Sequence, residues 1–428
     1  MIEGTGQSST AGKRMGYHPD ITATPRAFGI PLSPSVLNIE AKCRSNLFPW
    51  RGQFSPQLVE SLLRAYAPAG ATVLDPFMGS GTVLVEAARL GMAAHGFEVN
   101  PAAYLLARVY EFCGLLETER RTLLEAAESV LVQIRPSAFE LPLFRPQPRR
   151  DSVQKTRPLR IPDAVTPGVR TLLEAFVVLL GDENSADDDS CARKWAALRT
   201  VVSKLPYSSR AVRASLGDAR ALTLPDHSVD FVLTSPPYIN VFNYHHNSRN
   251  GVELLGWKPL VVARSEIGSN RKFRQNRFLT VVQYCIDMTL ALAELCRVCH
   301  PEARIVLVVG RESNVHKTAF FNGRILKRLA TDVLGMNLHQ QQERVFLNRF
   351  GQNIYEDLLC LTPDQVDWRC AKLEAVDRAR EVGKDVLKEA LARAPADRVY
   401  YLREAIAESE RVEASPLLVP ATAKKGQR

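Results

Sequence analysis

Two short stretches of this chain combine residue types that could do chemistry. The first is Asp75-Pro76-Phe77-Met78-Gly79-Ser80-Gly81-Thr82, which follows the apolar run Thr72-Val-Leu. Its glycines allow positive φ and let a ligand approach the backbone closely. A helix starting at Thr82 adds unpaired N–H groups and the positive end of a dipole. No phosphate-loop lysine is present, which disfavours a nucleoside triphosphate. The spacing also departs from the dinucleotide pattern GxGxxG. Glu98, ending the next apolar run, suits ribose hydroxyls, and Asn100 follows it. A Gly-rich turn can close a strand with no ligand at all; the complete motif between a strand and a helix is what argues for a binding site.

The second stretch is Ser235-Pro236-Pro237-Tyr238, directly after the apolar run Phe231-Val-Leu-Thr234. Tandem prolines fix the backbone and remove two N–H donors. Their carbonyls can accept from an amino group, the serine oxygen is a further acceptor, and the tyrosine ring offers a stacking face. An exocyclic amine acting as nucleophile needs such acceptors and such a platform. A rigid proline turn with no substrate is the plainer alternative.

Other residues carry less. Cys296-Arg-Val-Cys299-His300 has haem-attachment spacing. Cys285, Met288, Leu292, Cys296 and Cys299 fall on one helical stripe, so core packing is the expectation, with no metal site. Tyr244-His245-His246 could touch a substrate or lie in a solvated loop. Arg264, Arg271, Lys272, Arg274 and Arg277, interleaved with Phe273 and Phe278, suit phosphates and base stacking. The basic stretch 145–160 is an alternative nucleic-acid contact.

The elements that must position these motifs alternate along the chain. Residues 1–40 are rich in Gly, Ser, Thr and Pro and read as an irregular arm. Ser55-Pro56 starts a helix with a Leu58, Leu62, Leu63 stripe. Strands are expected at 72–75, 93–98, 211–215, 229–233 and 304–309, and helices at 82–90, 101–112, 279–299 and 316–334. Strands at 339–347 and 354–361 close a final hairpin. This alternation predicts an α/β domain with a doubly wound, mainly parallel seven-stranded sheet. The domain comprises 41–115 and 205–362. Residues 116–204 form a helical and basic insertion, including the acidic loop candidate 181–190, and 363–428 a helical extension. Residues 239–277 read as a long loop.

The chain has 428 residues, 46% hydrophobic and 24% charged, with a formal net charge of +9. That composition supports a sizeable core, and the basic excess favours polyanionic partners. Eight cysteines lack a disulfide framework. The first twenty residues have no apolar core, and no uninterrupted apolar run reaches a membrane span. A soluble, cytoplasmic protein is the expectation.

With both motifs in hand, the chain resembles the DNA amino-methyltransferases, which make N4-methylcytosine or N6-methyladenine. The likeness covers about 45–110 and 211–361. It implies a Rossmann-like fold and S-adenosylmethionine as cofactor. By this resemblance Asp75, Phe77, Gly79 and Gly81 line its methionine part, Glu98 its ribose, and Asp218 its adenine. Ser235, Pro236, Pro237 and Tyr238 then form the catalytic motif, and the stretch Arg51–Leu63 packs near the methionine end. Serine at the head of the motif leans towards cytosine N4. The cofactor motif precedes the catalytic one here, the reverse of many relatives with this wording, so their target-recognition region does not transfer. No Pro-Cys pair occurs, which argues against carbon-5 methylation of cytosine. Double-stranded DNA is the expected partner, with a restriction endonuclease in the same system possible. Methylation of adenine N6, of a guanine amino group in tRNA, or a silent binding subunit are the other readings.

Overall fold

In the computed structural model the apolar runs pair into one twisted sheet. The structure describes residues 27–40, 42–50, 52–134, 161–181, 188–239, 248–269, 273–348, 350–363 and 368–423. In chain order the first elements are α1 (Pro34–Asn38), α2 (Pro56–Tyr66), β1 (Thr72–Asp75), α3 (Thr82–Arg89), β2 (Ala93–Glu98) and α4 (Pro101–Ala107). Then follow α5 (Glu117–Ile134), α6 (Pro167–Leu180), α7 (Asp188–Ser203), β3 (Val212–Leu216) and β4 (Val229–Thr234). The second half holds α8 (Arg249–Leu254), α9 (Pro259–Val262), α10 (Leu279–Val298), β5 (Cys299–Gly310), β6 (Glu312–Val315), β7 (Thr318–Phe321) and α11 (Asn322–Arg328). It ends with β8 (Asn337–Leu347), β9 (Asn353–Thr362), α12 (Trp368–Ala390), α13 (Val399–Glu408) and α14 (Pro420–Ala423).

The seven-stranded sheet has the order β3-β2-β1-β4-β5-β9-β8. The first five strands in that order run parallel, and β9 and β8 close it antiparallel, as the sequence predicts. Strand β4 is buried along nearly its whole length, the mark of a strand covered on both faces. Its one half-buried residue, Asp230, accepts from the Thr72 N–H at 2.8 Å and aligns β1 beside it. Connections run to opposite sides from β1 and β4, so the sheet's switch point lies between them. Both motifs follow these two strands.

Apolar residues of α2, α3, α5, α6 and α7 gather on one face of the sheet. On the other face α10 packs with α11 and α12. Helix α10 is long and apolar enough to cross a membrane by composition, but 94% of that apolar window is buried inside the protein. Cys285, Cys296 and Cys299 lie in this second cluster, and burial pushes the Cys285 thiol up to about 12.

Several expectations need correction. Residues 316–321, expected helical, complete the β6–β7 hairpin instead. His316 and Lys317 both adopt left-handed backbone (φ 49° and 62°), which turns the chain in two residues. The helix expected to Phe112 tightens after Ala107 into a 3₁₀ stretch, Arg108–Gly114. The acidic run gives way to α7 at Asp188, whose first-turn aspartates suit a helix N-terminus. The loop 239–277 holds α8 and α9. In the arm, residues from Phe28 to Asn38 are ordered along the edge strand β8. Leu32 N donates to Gln342 Oε1 at 3.2 Å and Val345 N to Asn38 Oδ1 at 2.8 Å, covering an edge that would otherwise invite pairing. Tyr244, His245, His246, Arg271, Lys272 and the stretch 145–160 lie outside the described residues.

Candidate active site

The first motif is built by hydrogen bonds from its own backbone to two acids. Asp75 Oδ1 accepts from the Phe77 N–H at 3.1 Å, bending the chain out of β1. Glu98, at the end of β2, accepts from Gly79 N at 2.9 Å through Oε2 and from Asn100 N at 2.8 Å through Oε1. One carboxylate thus joins the Gly-rich loop to the next strand–helix turn. Gly79 and Gly81 have φ of 51° and 87°, conformations that a side chain would strain. A Cβ on Gly81 would also stand 2.8 Å from the Tyr110 ring. Behind the loop, Ser80 donates to Gln53 Oε1 at 2.9 Å and Thr82 to Asn46 Oδ1 at 3.3 Å. The segment ahead of α2 is thereby fastened over the loop.

The two motifs meet across the switch point. Thr234, the last residue of β4, donates from its hydroxyl to Asp75 Oδ1 at 2.6 Å. A single cavity opens there, reached by Asp75, Pro76, Phe77, Gly79, Thr82, Glu98, Asn100 and Asp218 on one side and by Ser235 and Pro237 on the other. Trp50 and Phe54 close one end, and residues Ser265–Ile267 with Ser269 form the far wall. Burial pushes both the Asp75 and Glu98 carboxyls up to about 7. Hydrogen bonds from Thr234 and Phe77 oppose this at Asp75, and those from Asn100 and Gly79 at Glu98. Asn100 caps α4 through its oxygen, accepting from Ala102 N at 2.9 Å. Its Nδ2 is buried with no hydrogen-bond partner among the described residues. An orphaned donor costs about 1–3 kcal/mol, and a ligand acceptor in the cavity would relieve it.

The stretch Ser235–Tyr238 is gripped from several sides. Tyr284 of α10 donates its hydroxyl to the Pro237 carbonyl at 3.0 Å. Asn322, fully buried, accepts from Ile239 N at 3.3 Å and donates Nδ2 to the Gly310 carbonyl at 2.9 Å. The Tyr238 hydroxyl lies 3.5 Å from Ser235 Oγ. Two glycines clamp Tyr238: a Cβ on Gly310 would stand 2.7 Å from its ring, and one on Gly268 would strike its carbonyl oxygen. Gly310→Ala is therefore expected to tilt the ring and cost about 1–3 kcal/mol of stability. In a Tyr238→Ala background the same change should cost nothing, because the clash is gone. Denaturant melts of the four proteins measure this; equal costs in both backgrounds would show that Gly310 acts elsewhere.

Not every expected residue faces the cavity. Ser80, Gly81, Pro236 and Tyr238 are not among the residues lining it. Asp218 reaches it, but its oxygens accept from Arg220 Nε at 2.9 Å, Arg220 Nη2 at 2.7 Å and Leu418 N at 3.1 Å. Arg264, Arg274 and Arg277 are exposed. Glu266, Gly268, Gly310 and Asn322 carry no local sequence signal. Gly310 merely ends an apolar strand, and its role depends on a ring from far earlier in the chain.

Comparison with known proteins fits this geometry. Residues 33–108 match the model of the N6/N4 DNA methylase family. The chain is 41% identical over 63 residues to the type II methyltransferase M.MjaII of Methanocaldococcus jannaschii, covering 15% of this chain and 12% of the relative. It is 33% identical over 117 residues to a tRNA (guanine(6)-N2)-methyltransferase of Thermus thermophilus, covering 20% and 35%. It is 29% identical over 96 residues to the type II methyltransferase M.BsoBI of Geobacillus stearothermophilus, covering 22% and 18%. The chain thus spans between an eighth and about a third of these relatives' lengths. The matched segment holds the first motif, Asp75–Thr82, and ends before the second, and S-adenosylmethionine is the cofactor that the first motif implies.

The residues present fit that cofactor. The buried Asp75 and half-buried Glu98 carboxyls suit its positive charges and ribose hydroxyls, and the orphaned Asn100 donor suits an acceptor on it. Holding a cation favours the ionised carboxylates, whereas the free protein keeps a proton on each below pH 7. Binding should therefore release protons, and affinity should fall as pH drops through 7, by roughly tenfold per unit for one proton. Calorimetry in buffers of different ionisation enthalpy reads the release directly. Asp75→Asn should flatten the profile; an unchanged slope in that variant would remove Asp75 from the linkage.

Proposed function

We propose that this chain transfers a methyl group from S-adenosylmethionine to the exocyclic amine of a base rotated out of duplex DNA, most specifically cytosine N4. One observation carries the reading. The loops after the adjacent strands β1 and β4 are tied by the Thr234–Asp75 bond, and residues of both line the same cavity. The cofactor supplies an already activated methyl group, so the protein's part is positioning. Asp75, Phe77, Gly79, Glu98 and Asn100 hold the cofactor, and Asp218 shapes its adenine end. Ser235 Oγ and the Pro236 carbonyl accept from the target amine, while the Tyr238 ring supports the base. Tyr284 occupies the Pro237 carbonyl, which leaves the first proline's carbonyl as the proposed main-chain acceptor. Rotating the base costs a few kcal/mol, offset in part by stacking.

A second reading, methylation of a guanine amino group in tRNA, is favoured by the likeness to the Thermus enzyme. Incubation with labelled cofactor and either duplex DNA or tRNA, followed by nucleoside mass spectrometry, separates the two. N4-methylcytosine in DNA is the expected product. N6-methyladenine would correct the base, and label confined to tRNA would overturn the DNA assignment.

A further inference from the structure

The β6–β7 hairpin brings together cations that neither motif uses. Its root is fixed to the target loop, since it starts just after Gly310 and ends at Asn322, the residue that holds Ile239 N and the Gly310 carbonyl. Its tip, His316-Lys317, leans on the segment ahead of α10, where the His316 and Phe278 rings meet at 5.7 Å and 64°. That segment exposes Arg274 and Arg277. Asn276, buried between them, donates to the Tyr401 carbonyl at 2.7 Å and to Glu404 Oε2 at 2.9 Å, pinning the segment to α13. Arg398 stands immediately before α13, paired with its neighbour Asp397 at 3.1 Å, and Tyr400 on the helix is 70% exposed. Burial, and then the charges of Arg398 and Arg277, lower the His316 pKa, which agrees with cations converging on the tip.

We propose that Arg274, Arg277, Lys317 and Arg398, with the Tyr400 ring, form a platform that grips the phosphate backbone of duplex DNA beside the rotated base. The proposal rests on the target loop being the base pocket. With strands of four residues, the hairpin tip lies roughly 13 Å from its root. Duplex DNA advances about 3.4 Å per base pair, so a hairpin of that length spans about four pairs of a duplex lying along it. Contacts of this kind fix register and orientation without reading sequence.

The test is anisotropy of a labelled duplex titrated with the full chain over a range of salt. The triple variant Arg277→Ala, Lys317→Ala, Arg398→Ala should bind at least tenfold more weakly. Its dependence of log affinity on log salt should be shallower by about two to three, near one per lost phosphate contact. Cofactor affinity, read by calorimetry, should stay within twofold, showing an intact fold. If wild type methylates DNA and the triple variant binds it with unchanged slope, the platform is overturned while the functional reading stands. A loss confined to tRNA binding also overturns it. A wild type that neither binds nor methylates any nucleic acid overturns both.

Discussion

Arg220→Met is expected to destabilise the protein by on the order of 3–5 kcal/mol, enough to shift a denaturant midpoint substantially. Arg220 is 1% exposed and lies between two buried acids. It donates to Asp218 through Nε and Nη2, and to Asp287 Oδ1 through Nη1 at 2.6 Å. It also donates to the carbonyls of Ser415 at 2.8 Å, Ser265 at 3.1 Å and Pro416 at 3.1 Å. Removing the guanidinium leaves two carboxylates buried without their countercharge and three carbonyls without a donor. The cost comes from those orphaned groups rather than from the pair's own attraction. The triple variant Arg220→Met, Asp218→Asn, Asp287→Asn should therefore regain most of the loss, because neutral amides bury more cheaply than unpaired carboxylates. Failure of that rescue would place the energy in the hydrogen bonds to the Ser415 and Pro416 carbonyls. Because Asp218 and Ser265 both reach the cavity, Arg220→Met should also weaken cofactor binding.

This cluster also marks where sequence reading stops. Gly217-Asp-Ala-Arg220 sits after a strand, and Asp218 stands out locally as an acid at a strand's carboxyl end. Nothing local shows that Arg220 turns back onto it, for its other partners are 45 to 196 residues away. The acid reaches the cavity, but its oxygens serve the arginine and the Leu418 N–H.

The sheet, by contrast, was legible. Apolar runs ending in Asp75 and Glu98 are each followed by turn residues and a helical stripe, and the run ending in Thr234 by its proline turn, all links local in the chain. Their neighbourhood follows from the doubly wound pattern, which sets both motifs at one switch point. The β6–β7 hairpin was not legible because its turn uses histidine and lysine at positive φ, where asparagine or glycine is the usual signal. The cavity's far wall, Ser265–Ser269, escaped for a related reason. It lies in a loop without periodicity, and the Arg220 and Tyr238 contacts that hold it come from elsewhere in the fold.

Tyr238→Ala should lower the rate of methyl transfer at least about 100-fold while leaving cofactor affinity nearly unchanged. Base–aromatic stacking contributes about 1–3 kcal/mol, which alone corresponds to roughly 5- to 150-fold. The base also loses the surface that aligns its amine, and a displacement of about 1 Å can cost a further 10²-fold. Tyr238→Phe keeps the ring and its fit against Gly310 and gives up only the hydroxyl 3.5 Å from Ser235 Oγ, so it should lose far less. Ser235→Ala removes an acceptor from the amine rather than the platform, and should lower turnover more than substrate affinity. Single-turnover rates with the preferred nucleic acid, set beside calorimetric cofactor affinities, distinguish these effects. If Tyr238→Ala lost cofactor binding as severely as turnover, the ring would belong to the cofactor pocket. The separation of roles between the two loops would then be wrong, although neither Pro236 nor Tyr238 lines that cavity here.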